Sequence, residues 1–133
     1  MTNSDMLGGE PTDLSALRLA MQTEDANARR AAEAQAKEAH SYARLLDLAE
    51  TRDSGQISRV ARFIANTSTH NGEAFRFDLF ELRAVDVEIG DDMLACLDAL
   101  RWAKADLYKL VPDGEKRVQA VITAWAFKWP DAE

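Results

Sequence analysis

Few residues in this chain are able to do covalent or acid–base chemistry. It has two histidines, His40 and His70, and one cysteine, Cys96, in 133 residues. A general base needs an orienting partner and a reacting group within hydrogen-bond reach. His40 falls among Ala and Glu in a helical stretch, which is the setting of a surface histidine. His70 lies in a polar loop before the Asn71-Gly72 turn signal. Asp78 follows eight residues later, but its spacing to Glu81 is that of a helix cap. Cys96 sits between Leu94 and Leu97, where a free thiol behaves as a small core hydrophobe. Asp86, Glu88, Asp91 and Asp92 crowd one segment without the alternation and fixed glycine of a calcium loop. No phosphate-cradling glycine loop or nucleophile elbow is present. The expectation is a non-enzyme with no catalytic residue, no cofactor and no metal site.

The elements that would position such groups are helical. Residues 1–12 carry Gly8, Gly9 and Pro11 among small polar residues and read as a disordered leader. Residues 13–50 contain neither Gly nor Pro and form one long helical signal, capped by Thr12 or Asp13. Leu14, Leu17 and Met21 share one face, and Tyr42, Leu45 and Leu46 share another. Alanines dominate between them, so helix propensity exceeds packing there. Two readings stand. The helix is continuous and overhangs its domain, offering these six residues as a dimerisation or docking face. Alternatively, it breaks at Thr23 and folds back.

Residues 51–133 read as a compact helical domain. Ile57, Val60, Ala61 and Ile64 mark an amphipathic helix behind an Asp53–Gln56 capping box. Phe75-Arg76-Phe77 alternates like a minimal strand, with both rings directed at the core. Asp78 opens a short helix that carries Leu79 and Leu82 inward. Val85, Val87 and Ile89 suggest an extended connector, and Asp91 or Asp92 caps a helix with Leu94, Leu97 and Leu100. A short helix spans residues 105–111, Pro112-Asp113-Gly114 turns the chain, and a last helix runs from Glu115 to about Lys128. The expected fold is all-α: a long N-terminal helix and a compact bundle of about five shorter helices, with the minimal strand near residues 75–77.

Charge narrows the partners. The net charge is −7, and the acids concentrate outside residues 54–84. Acidic flanks repel a phosphate backbone, which disfavours a broad nucleic-acid surface. Arg59, Arg62, Arg76 and Arg83 occupy the one segment that is not acidic. They form either a local anion or partner patch or pairs with nearby acids. No stretch is apolar enough for a membrane span, no secretory signal is evident, and a lone cysteine fits the cytoplasm.

Ser54-Gly-Gln56, Arg59-Val-Ala-Arg-Phe63, Asn71-Gly72, Phe75-Arg-Phe-Asp-Leu79 and Leu82-Arg-x-x-Asp86 carry a resemblance. Over residues 45–129 the chain resembles an uncharacterised small helical domain family of proteobacterial genomes and mobile elements. The resemblance implies bacterial origin and mobile-element carriage, and it transfers no catalytic residue. The functional expectation is a protein-interaction or adaptor protein of such an element, acting as a homodimer through the long helix. Two alternatives are an acidic inhibitor of a host defence complex and a nucleic-acid accessory protein that uses the central arginines.

Overall fold

The computed structural model describes residues 10–126 except residue 105, with the side chains of residues 10–12 and 103 left aside. The first nine and last seven residues, and with them most of the expected leader, lie outside the described residues. Four α-helices follow in order: α1 (Glu10–Thr51), α2 (Gly55–Thr69), α3 (Val87–Ala103) and α4 (Gly114–Ala126). Short 3-10 helices occupy Leu79–Ala84 and Leu107–Leu110. The architecture is all-α, as the periodicity predicts: one long helix and five shorter helical elements.

α1 is continuous through Thr23. The threonine hydroxyl donates to the Leu19 carbonyl at 3.0 Å, a bond inside the helix that leaves no cap for a second one. Only the C-terminal part of α1 belongs to the core. Ala34, Glu38, Ser41, Tyr42, Leu45, Leu46 and Ala49 are buried, whereas residues 13–25 are all exposed. The compact unit therefore extends N-terminally of residue 51 and takes in about half of α1.

α3 lies along this buried half. Arg44 of α1 pairs with Asp92, and Arg30 stacks over Trp102, so the two helices run antiparallel. The buried face of α3 is Ile89, Met93, Cys96 and Ala99, not the leucine row that the spacing suggests. Leu94 is 55% exposed and Leu100 39%. The physical reason is the spacing: residues three apart drift around an α-helix of 3.6 residues per turn, so Leu97 is half-buried against the core while Leu94 and Leu100 turn outward.

α2 closes the core with Ile57, Val60, Ala61, Phe63, Ile64 and Ala65. Its Gln56 makes no capping box. Gln56 Oε1 accepts from the Asp86 amide at 2.8 Å, and Gln56 Nε2 donates to Asp86 Oδ2 at 3.1 Å. This exchange fixes Asp86 as the N-cap residue of α3, five or six residues earlier than a cap at Asp91 or Asp92 would put the start. Val87 and Ile89 thus open a helix instead of an extended connector, and the would-be strand at 75–77 has nothing to pair with. No strand forms among the described residues. Phe75 and Phe77 nevertheless pack inward, with Phe77 edge-on to Phe63 at 5.5 Å between centroids. Asn66 Nδ2 supplies the hydrogen bond that a neighbouring strand would give, donating to the Phe75 carbonyl at 2.8 Å.

Asp78 caps the first 3-10 helix, accepting from the Phe80 amide at 3.0 Å. Leu82 packs on the core, but Leu79 is 67% exposed, so only one of the two leucines turns inward. The short helix expected over 105–111 is reduced to a single 3-10 turn, with Leu107 and Val111 buried on either side of exposed Leu110. The left-handed Asp113 then leads into buried Gly114. α4 docks on the end of α1. Trp125 Nε1 donates to the Ala49 carbonyl at 2.9 Å, and Arg117 bridges Glu50 and Asp47 at 2.7–2.9 Å.

Candidate interaction surface

The exposed part of α1 is the largest feature without a packing partner among the described residues. Residues 10–33 extend roughly 36 Å at 1.5 Å per residue. Leu14, Leu17, Leu19 and Met21 are 56–64% exposed. The root of this arm is held where Trp102 lies between Arg30, at 4.3 Å, and Arg101, at 5.1 Å. Beyond that stack α3 has ended, and no described element covers the arm.

The six residues expected to form a docking face divide. Leu14, Leu17 and Met21 are exposed on the arm. Tyr42, Leu45 and Leu46 are wholly buried within the chain's own core and are unavailable to a partner. The correction has a simple cause. The sequence shows an apolar stripe but not which part of it the downstream helices cover, and α3 with α2 covers the C-terminal part.

The central arginines also divide. Arg59 Nε lies 2.8 Å from Glu81 Oε1, and Arg62 Nη1 lies 3.5 Å from Glu81 Oε2. Glu81 is therefore a clasp between the 3-10 helix and α2, and it neutralises two of the four cations. Arg76 is exposed. Arg83 sits 6.0 Å from the ring centroid of Phe80, which is itself 71% exposed. Leu79, Phe80 and Val87 are exposed apolar residues of this region; the sequence pattern directs Leu79 inward and places Val87 in a connector.

The chemistry-bearing residues do not converge. His40 is exposed on the rim of an open groove of about 990 Å³ between α1 and α3, with Lys37 and Arg44 from α1 and Asp91, Asp98 and Arg101 from α3. His70 is exposed at the end of α2, 3.6 Å from Asp106. Cys96 is buried, and burial pushes its thiol well above the usual range. Among the described residues no group of three His, Cys, Asp or Glu side chains is placed to hold a metal ion. No described helix is long and apolar enough to cross a membrane.

Glu38 is the charged residue that sequence reasoning missed. It is fully buried between α1 and α3, and neither carboxylate oxygen has a hydrogen-bond partner among the described residues. Desolvation raises its pKa from 4.5 to about 7. Tyr42 and Cys96 are its ionisable neighbours, both pushed upward chiefly by burial and so neutral near pH 7. They give Glu38 no counter-charge.

A model of a family of unknown function, DUF7673, matches residues 39–126, and the chain belongs to that family. The match takes in the buried end of α1 and everything that packs on it, and leaves the arm outside. No curated protein and no solved structure matches the chain.

Proposed function

We propose that this member of a family of unknown function is a non-enzymatic interaction protein that pairs with a second copy of itself through the arm of α1. The observation that carries the reading is the exposure of Leu14, Leu17 and Met21 on a helix whose other half is fully packed. In proteins most helical stability comes from packing an apolar face, which no described element supplies to the arm. Each large apolar side chain that a partner covers contributes about 1.5–3 kcal/mol. The family domain then serves as the folded body, and the arm as the element that joins two bodies. Carriage on a bacterial mobile element, with an adaptor role there, follows from the sequence resemblance and is part of the same proposal. The central arginines support a nucleic-acid role less well, because Glu81 engages Arg59 and Arg62.

Sedimentation equilibrium of the full chain tests the pairing. The expected mass at micromolar concentration is twice the 14.8 kDa of one chain. A variant with Leu14, Leu17 and Met21 all changed to Ser should sediment as a folded monomer. A wild-type chain that remains at 14.8 kDa throughout the concentration series contradicts the reading.

A further inference from the structure

The arm also encodes the direction of its pairing. Written as a heptad, the stripe places Leu14, Met21 and Ala28 at one seam position, and Leu17, Glu24 and Ala31 at the other. Tyr42, Ala49 and Leu45 continue the same frame into the buried core. A straight helix drifts about 20° per heptad against such a frame, so the stripe has rotated by roughly 80° between Leu45 and Leu17. The seam of the arm is therefore turned about a quarter circle from the seam of the core end, and its residues 13–25 are all exposed to solvent that a second chain can reach.

Resting on the self-pairing reading above, we propose that two arms associate antiparallel, with Leu17 of one chain against the partner's Ala28 and Leu14 against the partner's Ala31. Two features select this direction. The first is volume. An antiparallel seam sets large Leu14 and Leu17 against small alanines, giving layers of even size along the pair. A parallel seam stacks leucine on leucine at one end and alanine on alanine at the other. The second is charge. In the antiparallel register the flanking Arg18 meets the partner's Asp25, and the symmetric contact repeats it. In the parallel register Glu24 faces the partner's Glu24 inside the seam, a like-charge contact. Antiparallel pairing moves it to face the partner's Met21, whose thioether packs on the glutamate stem. It also places the two family domains at opposite ends of the pair, where they do not collide.

Cysteine cross-linking in the full chain reads the direction. Leu17 and Ala28 are exposed, so Leu17→Cys and Ala28→Cys leave the monomer fold intact. Cys96 is buried and stays out of the reaction. After mild oxidation, an equimolar mixture of the two variants should give a disulfide-linked heterodimer, and neither variant alone should cross-link. Self-cross-linking of Leu17→Cys, or a non-covalent dimer with no cross-link in the mixture, overturns the antiparallel register and leaves self-pairing standing. A wild-type monomer by sedimentation fails the reading on which the register rests. Charge exchange is the second readout. Arg18→Asp should weaken the dimer roughly threefold or more, as expected for two exposed ion pairs. Adding Asp25→Arg in the same chain should restore wild-type affinity. A double variant no tighter than Arg18→Asp also overturns the register.

Discussion

Removing the charge of Glu38 should change how stability depends on pH. The carboxyl is wholly buried between α1 and α3, has no hydrogen-bond donor among the described residues, and titrates near pH 7 instead of 4.5. Below pH 4.5 the folded and unfolded chains both hold this proton, and it has no effect on stability. Between 4.5 and about 7 the folded chain keeps a proton that the unfolded chain has released. Stability from this group therefore falls as pH rises through that window and levels off above it. At 1.36 kcal/mol per pH unit, the window corresponds to about 3 kcal/mol. Glu38→Gln keeps the shape and removes the titration. Urea denaturation of both proteins at half-unit steps from pH 4.5 to 8.5 measures the difference, and subtraction cancels every other titrating group. The Gln variant should gain on wild type by roughly 3 kcal/mol across the window and be the more stable protein at pH 8. Parallel curves for the two proteins would refute the reasoning, since they would mean that Glu38 meets water or a cation in the folded chain.

Four further substitutions separate the packed body from the arm. Gly114→Ala puts a methyl group against the backbone carbonyl of Tyr108, so the turn into α4 must shift; a loss of about 1–3 kcal/mol is expected in thermal melts. Leu46→Ala, at a fully buried site, should cost about 2–5 kcal/mol, whereas Leu17→Ala should change the melt of the dilute monomer by less than about 0.5 kcal/mol. Arg44→Ala strands the Asp92 carboxylate, which it now holds at 2.6 and 3.0 Å; with the guanidinium largely in solvent, urea denaturation should show a loss of about 1 kcal/mol.

The helices were legible because each rests on local signals. Residues 12–50 lack any helix breaker, Ile57 to Ile64 keep a clean amphipathic period, and Asp78 caps as its spacing predicts. What escaped the sequence is decided by contacts remote in the chain. Gln56 captures Asp86 from thirty positions away and so moves the start of α3. The face of α3 that is buried is the one turned toward α1, and where α1 lies is not recorded within α3. Tyr42, Leu45 and Leu46 looked like a docking face because an apolar stripe has the same pattern whether its partner is a second chain or the next helix. Glu38 was invisible for the same reason: it continues the seam among charged neighbours, and only α3 closing over it makes it a buried acid.

Amide hydrogen exchange of the arm, followed against protein concentration, bears most directly on the claim that α1 joins two copies. The account predicts that amides of residues 14–28 are protected at high concentration and lose that protection on dilution, while those of residues 42–49 exchange slowly throughout. Exchange of residues 14–28 at the rate of a free peptide, at every concentration up to the solubility limit, would contradict it.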